Sequence, residues 1–209
     1  MIKAVLFDLD GTLVDTLQDL ADSVNVLLQE SGLPTHPLDA YRAFVGDGPK
    51  VLVERASGRK DEALAARFLE EYDRRCLDKV APYEGVLETL DAFKARGIRV
   101  GIVTNKPHAQ AVKIAERLLK GRYDCLFGNQ PHLYPRKPDP TVLRMAADAL
   151  GVAIEDCVFV GDSNVDVFSA HNAGIPCYGC AFGFRGEDEL RRAGADEIVY
   201  SFSELQKIG

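Results

Sequence analysis

Residues 1–12 read Met1-Ile2-Lys3-Ala4-Val5-Leu6-Phe7-Asp8-Leu9-Asp10-Gly11-Thr12. Ala4-Val5-Leu6-Phe7 is a short apolar run rich in strand formers, and it stops at once in Asp8-Leu9-Asp10-Gly11. An apolar run of this length closed by turn residues reads as a buried strand. Successive side chains of an extended chain point to opposite faces. Asp8 and Asp10 are therefore expected on one face, with Leu9 on the other. Two carboxylates at the end of a buried strand repel each other, and burying them is costly without compensation. A hard divalent cation is the natural compensation, because oxygen-rich anionic sites favour magnesium, calcium or manganese. Taken alone, the stretch also fits a strand followed by an acidic turn.

Beyond Thr12 the periodicity turns helical. Leu17, Leu20, Ala21, Val24, Leu27 and Leu28 recur at three- and four-residue intervals, the pattern of an amphipathic helix stopped by Gly32 and Pro34. A short helix is predicted over residues 38–45, ended by Gly46-Asp47-Gly48-Pro49. Pro49 suits the first turn of a further helix carrying Val51, Leu52 and Val53. A last helix of this group is predicted over residues 61–79, with Leu64, Phe68, Leu69 and Tyr72 on its apolar face. Residues 15–80 thus read as helical, without a strand.

The turn-rich linker Ala81-Pro82-Tyr83-Glu84-Gly85 changes the pattern. Strands are predicted over residues 98–103, 125–127, 157–160, 175–178 and 198–200. Helices are predicted over 86–96, 107–119, 139–150 and 165–173, around Leu190 and over 202–207. The stretch from Cys125 to Tyr134 is the least regular. Strands alternating with helices imply a parallel sheet covered on both faces. The fold class is α/β: a doubly wound, Rossmann-like parallel sheet formed by residues 1–14 and 82–209, with a helical cap of residues 15–81 inserted after the first strand.

Such a sheet binds its ligand at the carboxyl ends of its strands. The first strand ends in Asp8-Leu9-Asp10, the 98–103 strand in Thr104-Asn105-Lys106, and the 157–160 strand in Gly161-Asp162-Ser163, with Asp166 four residues beyond Asp162. Lys137 lies in Pro135-Arg136-Lys137-Pro138, just before a helix. Separately these read as helix caps or solvated loop residues. Jointly they put four carboxylates, a hydroxyl and a lysine at one sheet edge. Asp8, Asp162 and Asp166 are too many charges for one pocket without a metal, and magnesium would leave positions for water and phosphate. Thr104 and Lys137 suit a phosphate, as hydroxyl donor and compact point charge. Metal, lysine and donors together describe a phosphoryl-transfer site whose nucleophile is either a water or a carboxylate.

Composition narrows the partners. A net charge of −7 gives no global attraction for nucleic acid or anionic membranes. No apolar run approaches the ~20 residues that cross a bilayer. The apolar start is too short for a signal peptide, so a cytoplasmic location is expected. Cys76, Cys125, Cys157, Cys177 and Cys180 are scattered and odd in number, as in a chain of reduced thiols. Cys177 and Cys180 have C-x-x-C spacing, yet they lie in a strand-like run with no second pair and read as buried, inert thiols. His108 and His171 read as helix-surface residues.

Asp8-Leu9-Asp10-Gly11-Thr12, Thr104, Lys137 and Gly161-Asp162-Ser163-Asn164-Val165-Asp166 resemble, in order, the four motifs of the haloacid dehalogenase superfamily of phosphohydrolases. The resemblance covers nearly the whole chain. The helical insertion resembles the cap of the subgroup that contains phosphoglycolate phosphatases, as do Phe7 to Thr16, Thr104-Asn105-Lys106-Pro107, Val45-Gly46-Asp47-Gly48 and Gly183-Phe184-Arg185. The resemblance implies a magnesium-dependent phosphatase acting on a small phosphorylated metabolite, as a monomer or homodimer. It makes Asp8 the nucleophile and Asp10 the general acid and then base. Magnesium would be held by Asp8, the Asp10 carbonyl and Asp162. Asp166 would bind it through water or orient Asp162 and Lys137. Thr104, Asn105 and Lys137 would hold the phosphoryl oxygens. Gly46, Asp47 and Gly48 are candidates for substrate selection, Lys106 and Arg185 for positive potential near the mouth, and residues 13–16 and 80–85 for hinges. A pyrophosphatase, a nucleotide phosphatase or a sugar phosphomutase of the same superfamily is the alternative. Asp10 argues against carbon–halogen cleavage, because members with that activity lack the second aspartate.

Overall fold

The computed structural model describes residues 1–208. The chain opens with β1 (Ala4–Phe7) and β2 (Val14–Asp15), then four helices: α1 (Leu17–Glu30), α2 (Leu38–Phe44), α3 (Pro49–Ser57) and α4 (Glu62–Arg75). After β3 (Ala81–Pro82), helices and strands alternate: α5 (Val86–Ala95), β4 (Arg99–Pro107), α6 (His108–Leu118), β5 (Cys125–Asn129) and α7 (Thr141–Leu150). The chain closes with β6 (Cys157–Gly161), α8 (Asn164–Ala173), β7 (Cys177–Cys180), α9 (Glu187–Ala193), β8 (Glu197–Val199) and a short 3-10 helix, Phe202–Lys207.

Six strands form one sheet in the order β5-β4-β1-β6-β7-β8, with every pairing parallel. β1 lies between β4 and β6, with Phe7 opposite Ile102 on one side and Val160 on the other. The alternation expected of a strand buried on both faces is explicit. Val5 and Phe7 join a cluster with Leu90, Phe93 and Ile114 of α5 and α6. Ala4 and Leu6 join another with Leu143, Ala146, Val167 and Ala170 of α7 and α8. The strand order reverses at β1, the point at which a doubly wound sheet opens a crevice. Asp8, Thr104 and Asp162 come to that crevice from three adjacent strands.

Helices α1–α4 pack on one another, α4 against α1 and α3. Their apolar faces are continuous with the sheet's: Leu9 and Leu13 share a core with Leu17, Leu20, Phe68 and Tyr72. Residues 16–80 hold no strand, as the sequence suggested, but a short strand stands at each end of the helical segment. β2 pairs antiparallel with β3, Val14 opposite Pro82 and Asp15 opposite Ala81. Two-residue strands are too short to show an alternation. Asp19 closes the same neck, its buried carboxylate accepting from the backbone N–H groups of Lys79 and Val80. The irregular stretch after Cys125 supplies edge strand β5. β7 begins two residues later than its apolar pattern suggests, because Pro176 has no N–H to contribute to a ladder.

His108 opens α6 and is not a free surface residue, since its Nδ1 accepts from the Gly128 N–H at 3.2 Å. His171 does sit on a helix surface, 3.0 Å from Asp196. All five cysteines are free thiols, and Cys177 and Cys180 are fully buried. No helix among the described residues is long and apolar enough to cross a membrane.

Candidate active site

Asp8 directly follows the last residue of β1, and its backbone N–H still bonds to the Val160 carbonyl at 2.9 Å. Sheet pairing therefore fixes where the carboxylate starts. Asp162 follows β6, and Asp166 sits in the first turn of α8. The three carboxylates converge, each offering an oxygen within 4.8 Å of the others, and all three residues are buried. Lys137 Nζ lies between two of them, 3.0 Å from Asp8 and 2.7 Å from Asp166, and over the Phe159 ring.

Each carboxylate is used differently. Asp166 Oδ2 accepts from the Ser163 hydroxyl at 2.7 Å and from the Ser163 and Asp162 N–H groups, a capping box that starts α8. Its Oδ1 holds Lys137. Asp166 thus spends both oxygens on protein donors. Asp162 Oδ2 accepts from the Phe184 N–H at 2.7 Å, and Asp8 Oδ1 from the Leu9 N–H at 2.7 Å and from Lys137. Asp8 Oδ2 and Asp162 Oδ1 have no protein donor among the described residues. Two glycines make the arrangement possible. A Cβ on Gly11, at φ +80°, would stand 2.3 Å from Asp162 Oδ2, and one on Gly161 would stand 2.3 Å from the Asp166 Cβ.

Electrostatics show what this cluster lacks. Three carboxylates against one ammonium leave two negative charges in a buried place. Burial pushes the Asp8 carboxyl up to about 6, with Asp166 and Asp10 adding to the rise and Lys137 opposing it. Burial likewise holds Asp162 well above the usual carboxylate range, reinforced by Asp166 and Asp8. Lys137 is raised: burial works against its charge, but Asp166 and Asp8 more than restore it. Two unsatisfied carboxylate oxygens, two uncompensated charges and an all-oxygen donor set fit a hard divalent cation such as magnesium.

Asp10 belongs to a second constellation. Its Oδ1 accepts from the Thr16 hydroxyl at 2.7 Å, and both its oxygens accept from Lys106 Nζ, at 2.9 and 3.0 Å. Lys106 Nζ also donates to the Tyr72 hydroxyl at 2.6 Å and lies 4.5 Å from the centre of that ring. Lys106, read from the sequence as a charge near the mouth, is instead a buried lysine whose side chain is 2% exposed. It joins β4 to α4. Sequence inspection missed Tyr72 as a site residue because it falls among the apolar residues of an amphipathic helix. Its hydroxyl, the one polar atom there, was the available signal.

Thr104 is buried, lines the cavity above Asp8 and Asp10, and accepts from the Lys106 N–H through its hydroxyl oxygen. The Asn105 amide grips Lys137 at both backbone groups, accepting from its N–H at 3.0 Å and donating to its carbonyl at 3.1 Å. The same amide donates to the Gly46 carbonyl at 3.2 Å. Arg185 donates to the neighbouring Val45 carbonyl at 2.7 Å, and Arg136 donates to the Asp47 carbonyl. Three consecutive carbonyls of the α2–α3 loop are thus held by side chains from the sheet side. Gly46 and Gly48 line the cavity. Asp47 turns its carboxylate away to Arg55, 2.6 Å distant.

The model of the family described as haloacid dehalogenase-like hydrolase matches residues 5–180. The chain belongs to that family. A phosphoglycolate phosphatase of Rhodospirillum rubrum is 41% identical to it, over 98% of this chain and 90% of the relative. A phosphoglycolate phosphatase of Xanthomonas campestris pv. campestris is 38% identical, over 94% of this chain and 91% of the relative. Among solved structures, a predicted phosphoglycolate phosphatase from Haemophilus somnus 129PT superposes with a TM-score of 0.91 at 30% identity, covering 99% of this chain and 97% of that one. These relatives place this haloacid dehalogenase-like chain among the phosphatases of the superfamily, phosphoric monoester hydrolases built on an α/β sheet.

Proposed function

We propose that the chain hydrolyses 2-phosphoglycolate, using magnesium and an aspartyl-phosphate intermediate, in the cytoplasm. The observation that carries the reading is the division of labour between the two aspartates of β1's end. Asp8 offers a free oxygen beside Lys137 and the other carboxylates, whereas Asp10 is held outside that cluster by Thr16 and Lys106. One is placed for phosphorus and the other for protons.

In this reading Asp8 Oδ2 attacks phosphorus and the bond to the ester oxygen breaks. Asp10 gives its proton to the departing alkoxide, which leaves as glycolate. Asp10 then takes a proton from a water as that water attacks the aspartyl phosphate, so that inorganic phosphate departs and Asp8 is restored. Lys137 and the Thr104 hydroxyl hold the non-bridging oxygens, and Asn105 fixes the Lys137 backbone that presents the ammonium. Asp8, the Asp10 carbonyl and Asp162 would hold the magnesium, with Asp166 orienting Lys137 and the Asp162 loop. When bound, the ion neutralises the carboxylates and the phosphoryl charge. Residues 15–81 act as a cap over the core of residues 1–14 and 82–209, and the paired neck of β2 and β3 is the place where it turns. Closure removes water from the site.

A hydrolysis screen over small phosphate esters and pyrophosphate, with magnesium and with EDTA, tests this. Strong magnesium-dependent release of phosphate from 2-phosphoglycolate is expected, lost in Asp8→Asn. Turnover that survives in Asp8→Asn or in EDTA would overturn the mechanism, and preferential use of pyrophosphate would overturn the substrate.

A further inference from the structure

We propose that the Lys106 ammonium and the Tyr72 hydroxyl form a subsite for a carboxylate on the leaving group. Selection of a short phosphorylated hydroxy acid would then be made jointly by β4 and the cap helix α4. The inference rests on the phosphatase reading above and names the chemistry by which its substrate is chosen.

Both residues line the cavity that holds Asp8, Asp10 and Thr104. Lys106 and Arg185 are the cationic side chains in that lining, and Arg185 is committed to the Val45 carbonyl and to Glu189. Lys106 has three donors. One suffices for Asp10, which Thr16 also holds, so an incoming anion can take another. Tyr72 accepts from Lys106, and its own hydroxyl proton has no acceptor among the described residues. A buried donor without a partner is costly, and here it faces a cavity beside a buried ammonium. Apart from Tyr72, the cap side of the wall, with Leu20, Leu52 and Phe68, is apolar. It offers nothing to the hydroxyls of a sugar, and nothing else to solvate an anion.

Spacing supplies the size limit. The ester oxygen must sit within hydrogen-bond reach of Asp10, and Lys106 Nζ is 2.9 Å from that carboxyl. With a carboxylate joined directly to the ester carbon, its carbon lies two bonds beyond the ester oxygen, about 2.4 Å away, and its oxygens one bond further, about 3 Å away. That distance places it at the Lys106–Tyr72 pair. A longer chain would have to fold back against Leu52 and Phe68. An ammonium on the leaving group would meet Lys106 and be repelled.

The test compares kcat/KM for 2-phosphoglycolate with that for 2-hydroxyethyl phosphate, which has a neutral leaving group of similar length. The wild-type magnesium enzyme, Lys106→Met and Tyr72→Phe are compared. Any general loss acting through Asp10 affects both esters and cancels in the ratio. Wild type is expected to favour the carboxylated ester. Lys106→Met should cut the ratio by about 100-fold and Tyr72→Phe by about 10-fold, the size of a lost ion pair and of a lost hydrogen bond from an uncharged donor. Tyr72→Phe alters one exposed-to-cavity atom of a stacked ring, so it carries the test alone if Lys106→Met does not fold. Ratios unchanged within about twofold in the folded variants would overturn the subsite and leave the phosphatase reading standing. So would a wild-type ratio near one. No turnover of either ester by wild type would overturn both.

Discussion

Asp8 is a carboxylate that the metal-free fold holds at a loss, and Asp8→Asn should reveal it. Burial raises its carboxyl from the model-peptide range near 3.8 to about 6. The folded state therefore binds a proton more tightly than the unfolded chain does. The associated stability is fully present below pH 3.8 and is lost as pH rises through about 6. A shift of roughly two units corresponds to about 3 kcal/mol at neutral pH. Asparagine carries no such cost. In EDTA at pH 7.5, Asp8→Asn is expected to be the more stable protein, by about 3 kcal/mol, or about 6–12 °C in Tm for a chain of this size. At pH 5 the gap should shrink to roughly half, because native Asp8 is then largely protonated while the unfolded one is not. Saturating magnesium should narrow or invert the gap, since an ion bound only to the native state stabilises it by mass action. Thermal unfolding followed by circular dichroism at the two pH values, with EDTA and with magnesium, supplies every number. Asp8→Asn no more stable than wild type at pH 7.5 in EDTA would refute the argument. It would mean that Lys137, 3.0 Å away, satisfies Asp8 without help.

Two further outcomes follow from packing and burial. Gly11→Ala puts a Cβ at a left-handed φ and 2.3 Å from Asp162 Oδ2. It should lower stability by about 2 kcal/mol or more and displace the Asp162 carboxylate. Thermal scans and magnesium titration check this, and an unchanged Tm together with full magnesium affinity would contradict it. Burial raises all five thiols, Cys125 and Cys157 to about 11 and Cys76, Cys177 and Cys180 upward as well. At pH 7.5 a disulfide reagent such as DTNB should therefore react slowly with fewer than one thiol per folded chain, and with all five in guanidinium. Rapid labelling of Cys177 or Cys180 in the native protein would show them to be reactive.

The sequence carried the sheet well because its strands are near-continuous apolar runs that end abruptly in polar residues. Phe7 to Asp8 and Val160 to Asp162 are such edges, and parallel pairing brings them together whatever lies between. The strand read over 125–127 runs on to Asn129 in the irregular stretch, because an edge strand needs less apolar patterning where one side of it is open. β2 and β3 were invisible because two residues carry no period. That Asp8, Thr104, Lys137, Asp162 and Asp166 come together was readable from strand ends and motif spacing. Their partners were not. That Asp10 shares Lys106 with Tyr72, or that Asp47 turns to Arg55, depends on how α1–α4 fold over the sheet. Local periodicity holds no record of that packing.

The grip on the α2–α3 loop has a consequence for how such a protein can diverge. Arg185, Asn105 and Arg136 reach from the sheet side to the carbonyls of Val45, Gly46 and Asp47, and none of them touches a loop side chain in doing so. Every residue type has a carbonyl. The bonds that seat the loop therefore place no demand on the side chains of Val45 and Asp47, whereas Gly46 and Gly48, at φ +115° and +85°, favour glycine. Asn105 ties that freedom to constancy elsewhere, because the same amide that seats the loop also holds Lys137. Exchange at Val45 or Asp47 leaves the seating of Lys137 untouched.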